Sequence, residues 1–251
     1  MPKYTTPAWA SALYGFVGYM TEDFGGGPKR LRMAWVINFH KIFTLFIILG
    51  MMTYLGNFST TAWVYLGLHG IYGYCWLVKD FGFRDSSFNS RVTYGGALMA
   101  YLLLVGWYWL FPWFFLTREA PPTNALLFSA IAIHTWGITW MIAADCQKFF
   151  QLKYHRGLMT DGMFRYTRNP NFFGEILIYL AYAMLAAHWL TWLVFAYAVT
   201  YFYTRMLVKD GSISRYPEWG AYAAGSSRLV PWRILTASFQ KTQPESPQAS
   251  P

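Results

Sequence analysis

The chain has 251 residues, 55% hydrophobic and only 12% charged, whereas soluble domains carry about a quarter charged residues, so its apolar runs exceed what one water-soluble core can bury. Its net charge of +9 at pH 7 sits mainly in the loops between those runs, which argues for membrane orientation and against nucleic-acid binding. The two cysteines, Cys75 and Cys146, supply neither a disulfide framework nor metal-ligand spacing, and no metal site is expected.

In chain order, residues 8–20 are apolar but too short for the roughly 20 residues that a spanning helix needs. Gly25-Gly26-Gly27-Pro28 ends this piece, which reads as interfacial or re-entrant. The first full apolar run begins after Arg32 without an evident cleavage site, so no removable signal peptide is expected. Candidate spans are residues 33–55, 60–78, 94–115, 124–144, 172–187 and 189–207. The last two are short and separated by little more than His188, as in a tight hairpin or one interrupted helix.

An inside amino terminus places Lys79, Arg84, Arg91, Lys148, Lys153, Arg156, Arg165 and Arg168 on the cytoplasmic side. It leaves Arg118 as the one loop cation on the far side, with Lys41 inside the first span. This is the asymmetry of the positive-inside rule. The expected fold is all-α: a polytopic helical membrane protein, about six transmembrane helices, both termini cytoplasmic, in a bacterial inner membrane. One domain covers residues 1–235, and the polar tail 236–251 has the composition of disorder.

Chemistry concentrates in the loop between the fourth and fifth spans. The run Asp161 to Glu175 passes Arg165, Arg168, Asn169-Pro170-Asn171 and Gly174 before entering an apolar helix. An ionisable Glu175 inside a span is by default a functional candidate, with Arg165 and Arg168 as its nearest expected partners. A second polar cluster follows the sixth span: Lys209-Asp210, Arg215-Tyr216, Trp219, Tyr222 and Arg228. Both clusters fall on one side and are expected to wall a polar cofactor pocket.

The string Asn169-Pro170-Asn171-Phe172-Phe173-Gly174-Glu175 resembles the signature of steroid 5-alpha-reductases. It is similar also to the corresponding motifs of sterol reductases and isoprenylcysteine carboxyl methyltransferases. Asp145-x-Gln147-Lys148 upstream and Lys209-Asp210, Arg215-Tyr216, Trp219-x-x-Tyr222 and Val230-Pro231 downstream extend the resemblance over residues 143–233. The whole chain, including His69-Gly-x-Tyr72 through Lys79-Asp80, resembles a broad, largely uncharacterised bacterial branch of that superfamily.

The resemblance implies a nucleotide cofactor, either NADPH for reduction or S-adenosylmethionine for methyl transfer. The expected cofactor residues are Gln147, Lys148, Arg156, Arg165, Arg168, Asn169, Asn171, Glu175, Tyr216, Tyr222 and Arg228. The phosphates of NADPH call for several guanidinium or ammonium donors, and Asn169, where the methyltransferases have His, also leans toward reduction. The Gln-Glu pair that orients a ketone in steroid reductases is absent before the third span. Tyr72, Tyr74 and His69 on the second span are the expected catalytic donors, His69 and Tyr72 sharing one helix face. The function read is NADPH-dependent reduction of an unsaturated lipid or steroid-like substrate. Methylation of a hydrophobic acceptor, or non-catalytic lipid binding, are the alternatives.

Overall fold

The computed structural model describes residues 3–236; the expected disordered tail lies almost wholly outside the described residues. The chain forms α1 (Ala8–Glu22), a two-residue strand β1 (Leu31–Arg32), α2 (Met33–Leu55) and α3 (Thr60–Phe83). It continues through β2 (Arg91–Val92), α4 (Tyr94–Ala100), α5 (Leu110–Leu116), α6 (Asn124–Tyr154), α7 (Pro170–Ala186), α8 (Trp189–Ile213) and α9 (Trp219–Gly225). The all-α reading holds apart from β1 and β2, which pair antiparallel as Leu31 with Val92 and Arg32 with Arg91.

The helix boundaries have local causes. Ser59, Thr93 and Thr123 accept hydrogen bonds from the amides three residues on and open α3, α4 and α6. Gly56 closes α2 at φ 62°, a left-handed conformation that costs glycine little. Pro170 stands in the first turn of α7, where its missing N–H is not needed.

Three helical stretches are long and apolar enough to cross a membrane: Met33–Leu55, Tyr94–Leu116 and Asn124–Tyr154. α3 and α8 are as long but carry charges at one end, and α7 has only 17 residues. The third stretch is not one regular helix. A π-helical segment, Tyr101–Val105, and a 3₁₀ turn, Gly106–Trp109, separate α4 from α5. The piece 8–20 is α1, a helix packed against α4 and α8.

Glycines set the closest helix contacts. A Cβ on Gly174 of α7 would lie 2.5 Å from Gly137 O and Met141 N of α6, and one on Gly137 would lie 2.7 Å from Gly174 O. The two backbones therefore touch, as small residues allow between membrane helices. α2 and α3 meet similarly, since a Cβ on Gly73 would lie 2.2 Å from Lys41 O. Asp80 fastens the same pair, accepting from Asn38 Nδ2 at 2.8 Å and from Arg84 at 2.8 and 2.6 Å.

Candidate functional site

The basic loops gather at the end of the bundle where α3 and α6 finish and α7 begins. Two cavities open there. The first, about 350 Å³, is lined by Lys79, Asp85, Asp145, Lys148, Asn171, Arg205 and Lys209, with Phe88 and Phe172 among its apolar walls. The second, about 460 Å³, is lined by Lys148, Arg156, Arg168, Lys209, Arg215, Tyr216 and Tyr222. Lys148 and Lys209 belong to both, so the two form one cleft. Both volumes fall in the usual range of small-molecule sites, about 300–1,000 Å³.

The cleft's frame is a buried ion cluster centred on Asp210, whose side chain is fully buried. Arg168 donates to it from Nε at 3.0 Å and from a terminal nitrogen at 3.1 Å, and Arg228 adds 2.9 Å. Arg168 also donates to Ser226 O at 2.9 Å and lies over the Trp219 ring. Asn169 donates to Arg228 O at 2.8 Å and accepts from Lys209 Nζ at 3.2 Å. These contacts staple the loop before α7 to the segment after α9, where Thr167 and Ser227 form a single bridge.

That arrangement corrects several sequence expectations. Arg168, Arg228 and Asn169 have their polar groups engaged with protein and build the pocket instead of offering free donors. Gln147 likewise holds the loop, accepting from Met163 N at 2.8 Å and donating to Asp161 O at 3.1 Å. The Tyr222 hydroxyl donates to Phe164 O at 2.8 Å; burial pushes this phenol well above its ordinary range and keeps it a neutral donor. Arg165 is exposed beside Tyr166 and lines neither cavity. Lys148, Arg156, Asn171 and Tyr216 line the cleft.

Lys148 reaches across the cleft to an ion pair with Asp85. Burial would raise the Asp85 carboxyl, but Lys148 and the Ser87 amide, which donates at 2.9 Å, outweigh it and hold it well below the carboxylate range.

Deeper in, Glu175 is not beside Arg165 or Arg168. It accepts from the Tyr179 hydroxyl at 3.2 Å, and its charged neighbours are Lys79, Asp145 and Lys41. The correction follows from helix geometry: Glu175 is in the second turn of α7 and faces α2, α3 and α6, while Arg168 precedes the helix and turns outward to α8. Lys79 Nζ lies 2.5 Å from Asp145 Oδ2, both side chains at most 4% exposed. This pair lines the first cavity and connects it with Glu175.

Tyr72 belongs to this inner group. It is 1% exposed, its hydroxyl donates to Met141 Sδ at 3.8 Å, and Tyr179 is an interacting neighbour. His69 is engaged elsewhere, bonded through Nδ1 to the Tyr65 hydroxyl at 3.2 Å and stacked on Tyr182 at 4.1 Å. Tyr74 is half-buried on another face of α3 and packs against the core. Of the three expected donors, only Tyr72 stands in the polar interior beside Glu175. The group also holds Lys41, Lys79, Asp145, Tyr108 and Tyr179, none of them named as site residues from sequence. An ionisable residue within or beside a span was the signal available for the first three.

Among known proteins, 77 residues, 30% of this chain, align at 29% identity with an uncharacterised protein of Schizosaccharomyces pombe. The alignment covers 28% of that protein's length, so the likeness is to a part of it. Residues 91–220 match the family model described as a protein of unknown function, DUF1295. That match spans more than half of the chain, from β2 through α6, the cleft and α8 into α9, and the chain belongs to the DUF1295 family.

Proposed function

We propose that the protein is a membrane-embedded reductase that uses NADPH to saturate a carbon–carbon double bond in a lipid or steroid-like substrate. One observation carries this reading: the larger cavity is walled by Lys148, Arg156, Arg168, Lys209 and Arg215, with Lys148 paired to Asp85 and Arg168 to Asp210 behind the wall, and no carboxylate is among its lining residues. A dinucleotide with a pyrophosphate and a 2′-phosphate matches such a wall, whereas the sulfonium of S-adenosylmethionine is repelled by it. The resemblance of 169–175 to the steroid 5-alpha-reductase signature supports the same choice.

The donor set fits the cofactor. Arg156, Arg215 and Lys148 would meet phosphates, and Asn171 and Tyr216 would contact the remainder. When bound, NADPH would supply the hydride for one alkene carbon, and Tyr72 would give the other carbon its proton. Tyr179, between Tyr72 and Glu175, is placed to return a proton from the cleft. In this reading the basic end faces the cytoplasm, six helices span a bacterial inner membrane, and a lipid reaches the inner group from the bilayer.

S-adenosylmethionine-dependent methylation is the second reading, favoured by Asp85 and Asp145 in the smaller cavity. Thermal unfolding of purified protein with each cofactor separates the two. At 100 times its dissociation constant a ligand of the folded state adds about 2.7 kcal/mol, and NADPH alone is expected to do so. Arg156→Ala should weaken NADPH about ten-fold or more, since a charged hydrogen bond is worth about 1.5–3 kcal/mol. Stabilisation by S-adenosylmethionine alone would replace the reductase by a methyltransferase.

A further inference from the structure

The first cavity, about 350 Å³, holds more cations than it has carboxylates to pair with them: Lys79, Lys148, Arg205 and Lys209 against Asp85 and Asp145. Lys79 is paired with Asp145 and Lys148 with Asp85. That leaves Arg205 and Lys209, four residues apart on one face of α8. Among the described residues Arg205 makes no ion pair. Its guanidinium lies over the rings of Phe172 at 5.5 Å and Tyr201 at 5.9 Å, with the Tyr201 hydroxyl beside it. Glu22 of α1 acts on Tyr201 from a distance but faces Lys29 at 4.0 Å. Lys209 donates to Arg168 O at 2.7 Å and Asn169 Oδ1 at 3.2 Å, two neutral acceptors that leave one N–H of the ammonium unused. Burial, with Lys148 nearby, pushes this ammonium down to about 7, and an anion beside it would restore its charge.

The other walls of this corner suit an amphiphile. Asn171, in the first turn of α7, lines the same cavity, and its side-chain amide makes no hydrogen bond among the described residues. With Phe172 it brings the positive end of α7 to the cavity wall. Tyr14 of α1 also lines the cavity and is 45% exposed, so the corner has a mouth beside α1. That helix has 15 residues, too few to span, packs against α8 and exposes Trp9, Phe16 and Tyr19. Such a helix lies in the plane of the membrane surface, at the depth of lipid headgroups.

We propose that Arg205, Lys209 and Asn171 form a binding site for the terminal phosphate of a membrane lipid, which enters beside Tyr14 and leaves its chains in the bilayer. A phosphate monoester carries about −1.5 to −2 charge at pH 7 and three acceptor oxygens. It answers two unpaired cations and an amide, whereas a phosphate diester or a carboxylate brings one charge and two free oxygens. The planar guanidinium of Arg205 takes two of the oxygens side by side, and Lys209 and Asn171 reach the third. Phe172, Val208 and Tyr14 provide apolar surface for the first carbons of the lipid. The site does not depend on which cofactor fills the larger cavity.

The test is calorimetric titration of the full chain in detergent, without NADPH. The lipid probes are dioctanoyl phosphatidic acid, a monoester, and dioctanoyl phosphatidylglycerol, an anionic diester; inorganic phosphate and 2′-AMP serve as phosphates without a lipid. Wild type should bind phosphatidic acid about ten-fold more tightly than phosphatidylglycerol. Arg205→Met should weaken phosphatidic acid about ten-fold or more, Arg205→Lys should recover part of the loss, and Arg156→Ala should leave the preference in place. Equal affinity for the two lipids, or a preference unchanged in Arg205→Met, overturns the proposal. A loss in Arg156→Ala as large as in Arg205→Met would put the phosphate in the larger cavity and overturn it too. So would inorganic phosphate or 2′-AMP binding as tightly as the lipid and losing that affinity in Arg205→Met, since the ligand would then be water-soluble. If Arg205→Met does not fold, Asn171→Leu decides: phosphatidic acid weakened several-fold supports the site, and unchanged binding overturns it.

Discussion

Asp210 shows how a residue that touches no ligand governs a site. It is completely buried and holds two guanidinium groups, so both halves of the cleft's rim depend on one carboxylate. Removing one partner of a buried ion pair costs about 3–5 kcal/mol, because the other charge is left without compensation. Asp210→Asn should therefore lower stability by about that much in thermal or denaturant unfolding and weaken cofactor binding through disorder of the loop before α7. Sequence reading took Arg168 and Arg228 for phosphate ligands because a count of cations does not reveal which are already paired. Arg156 presents the opposite case, exposed and lining the larger cavity, while Arg215 lines it with its guanidinium bonded to Ser212 and Tyr216.

At the scale of the element, α6 and α7 are the joint on which the site turns. Glu175 reaches Lys79 and Asp145 only because Gly174 and Gly137 let the two backbones touch. A methyl group at Gly174 would stand 2.5 Å from two backbone atoms of α6, and no rotation of a side chain relieves that. Gly174→Ala is expected to force the helices apart and cost roughly 1–3 kcal/mol or more, as overpacking does. The check is a lower unfolding temperature with NADPH stabilisation lost in the same variant; an unchanged Tm would show that the backbones have room. A second element, the π and 3₁₀ stretch between α4 and α5, places Tyr108 and Trp109 against His40. Nothing in the apolar run 94–115 announced that break, because hydropathy registers length and not helical pitch.

For the whole molecule, charge is the organising variable. The basic loops at the ends of α3 and α6, before α7 and after α8 share one end of the bundle, and Arg118 lies at the other, donating to Leu185 O at 2.6 Å. If that basic end is cytoplasmic, exposed positions on the two sides must differ in accessibility. With Cys75 and Cys146 replaced by serine, Glu119→Cys should react with a membrane-impermeant maleimide on intact cells, and Glu218→Cys only after permeabilisation. The reverse pattern would overturn the orientation while leaving the fold intact.

Sequence alone determined what depends on local pattern. Apolar length marked the long helices, Thr and Ser caps and Pro170 set their starts, and the basic loops indicated a common polar end. The tertiary structure decided which charges are free and which are spent, because pairing depends on partners distant along the chain: Asp210 lies 42 residues from Arg168. It also decided the company of Glu175 and Lys41, which the touching backbones of α6 with α7 and of α2 with α3 bring toward one polar interior. Periodicity tells which face of a helix is apolar; only packing decides what that face meets.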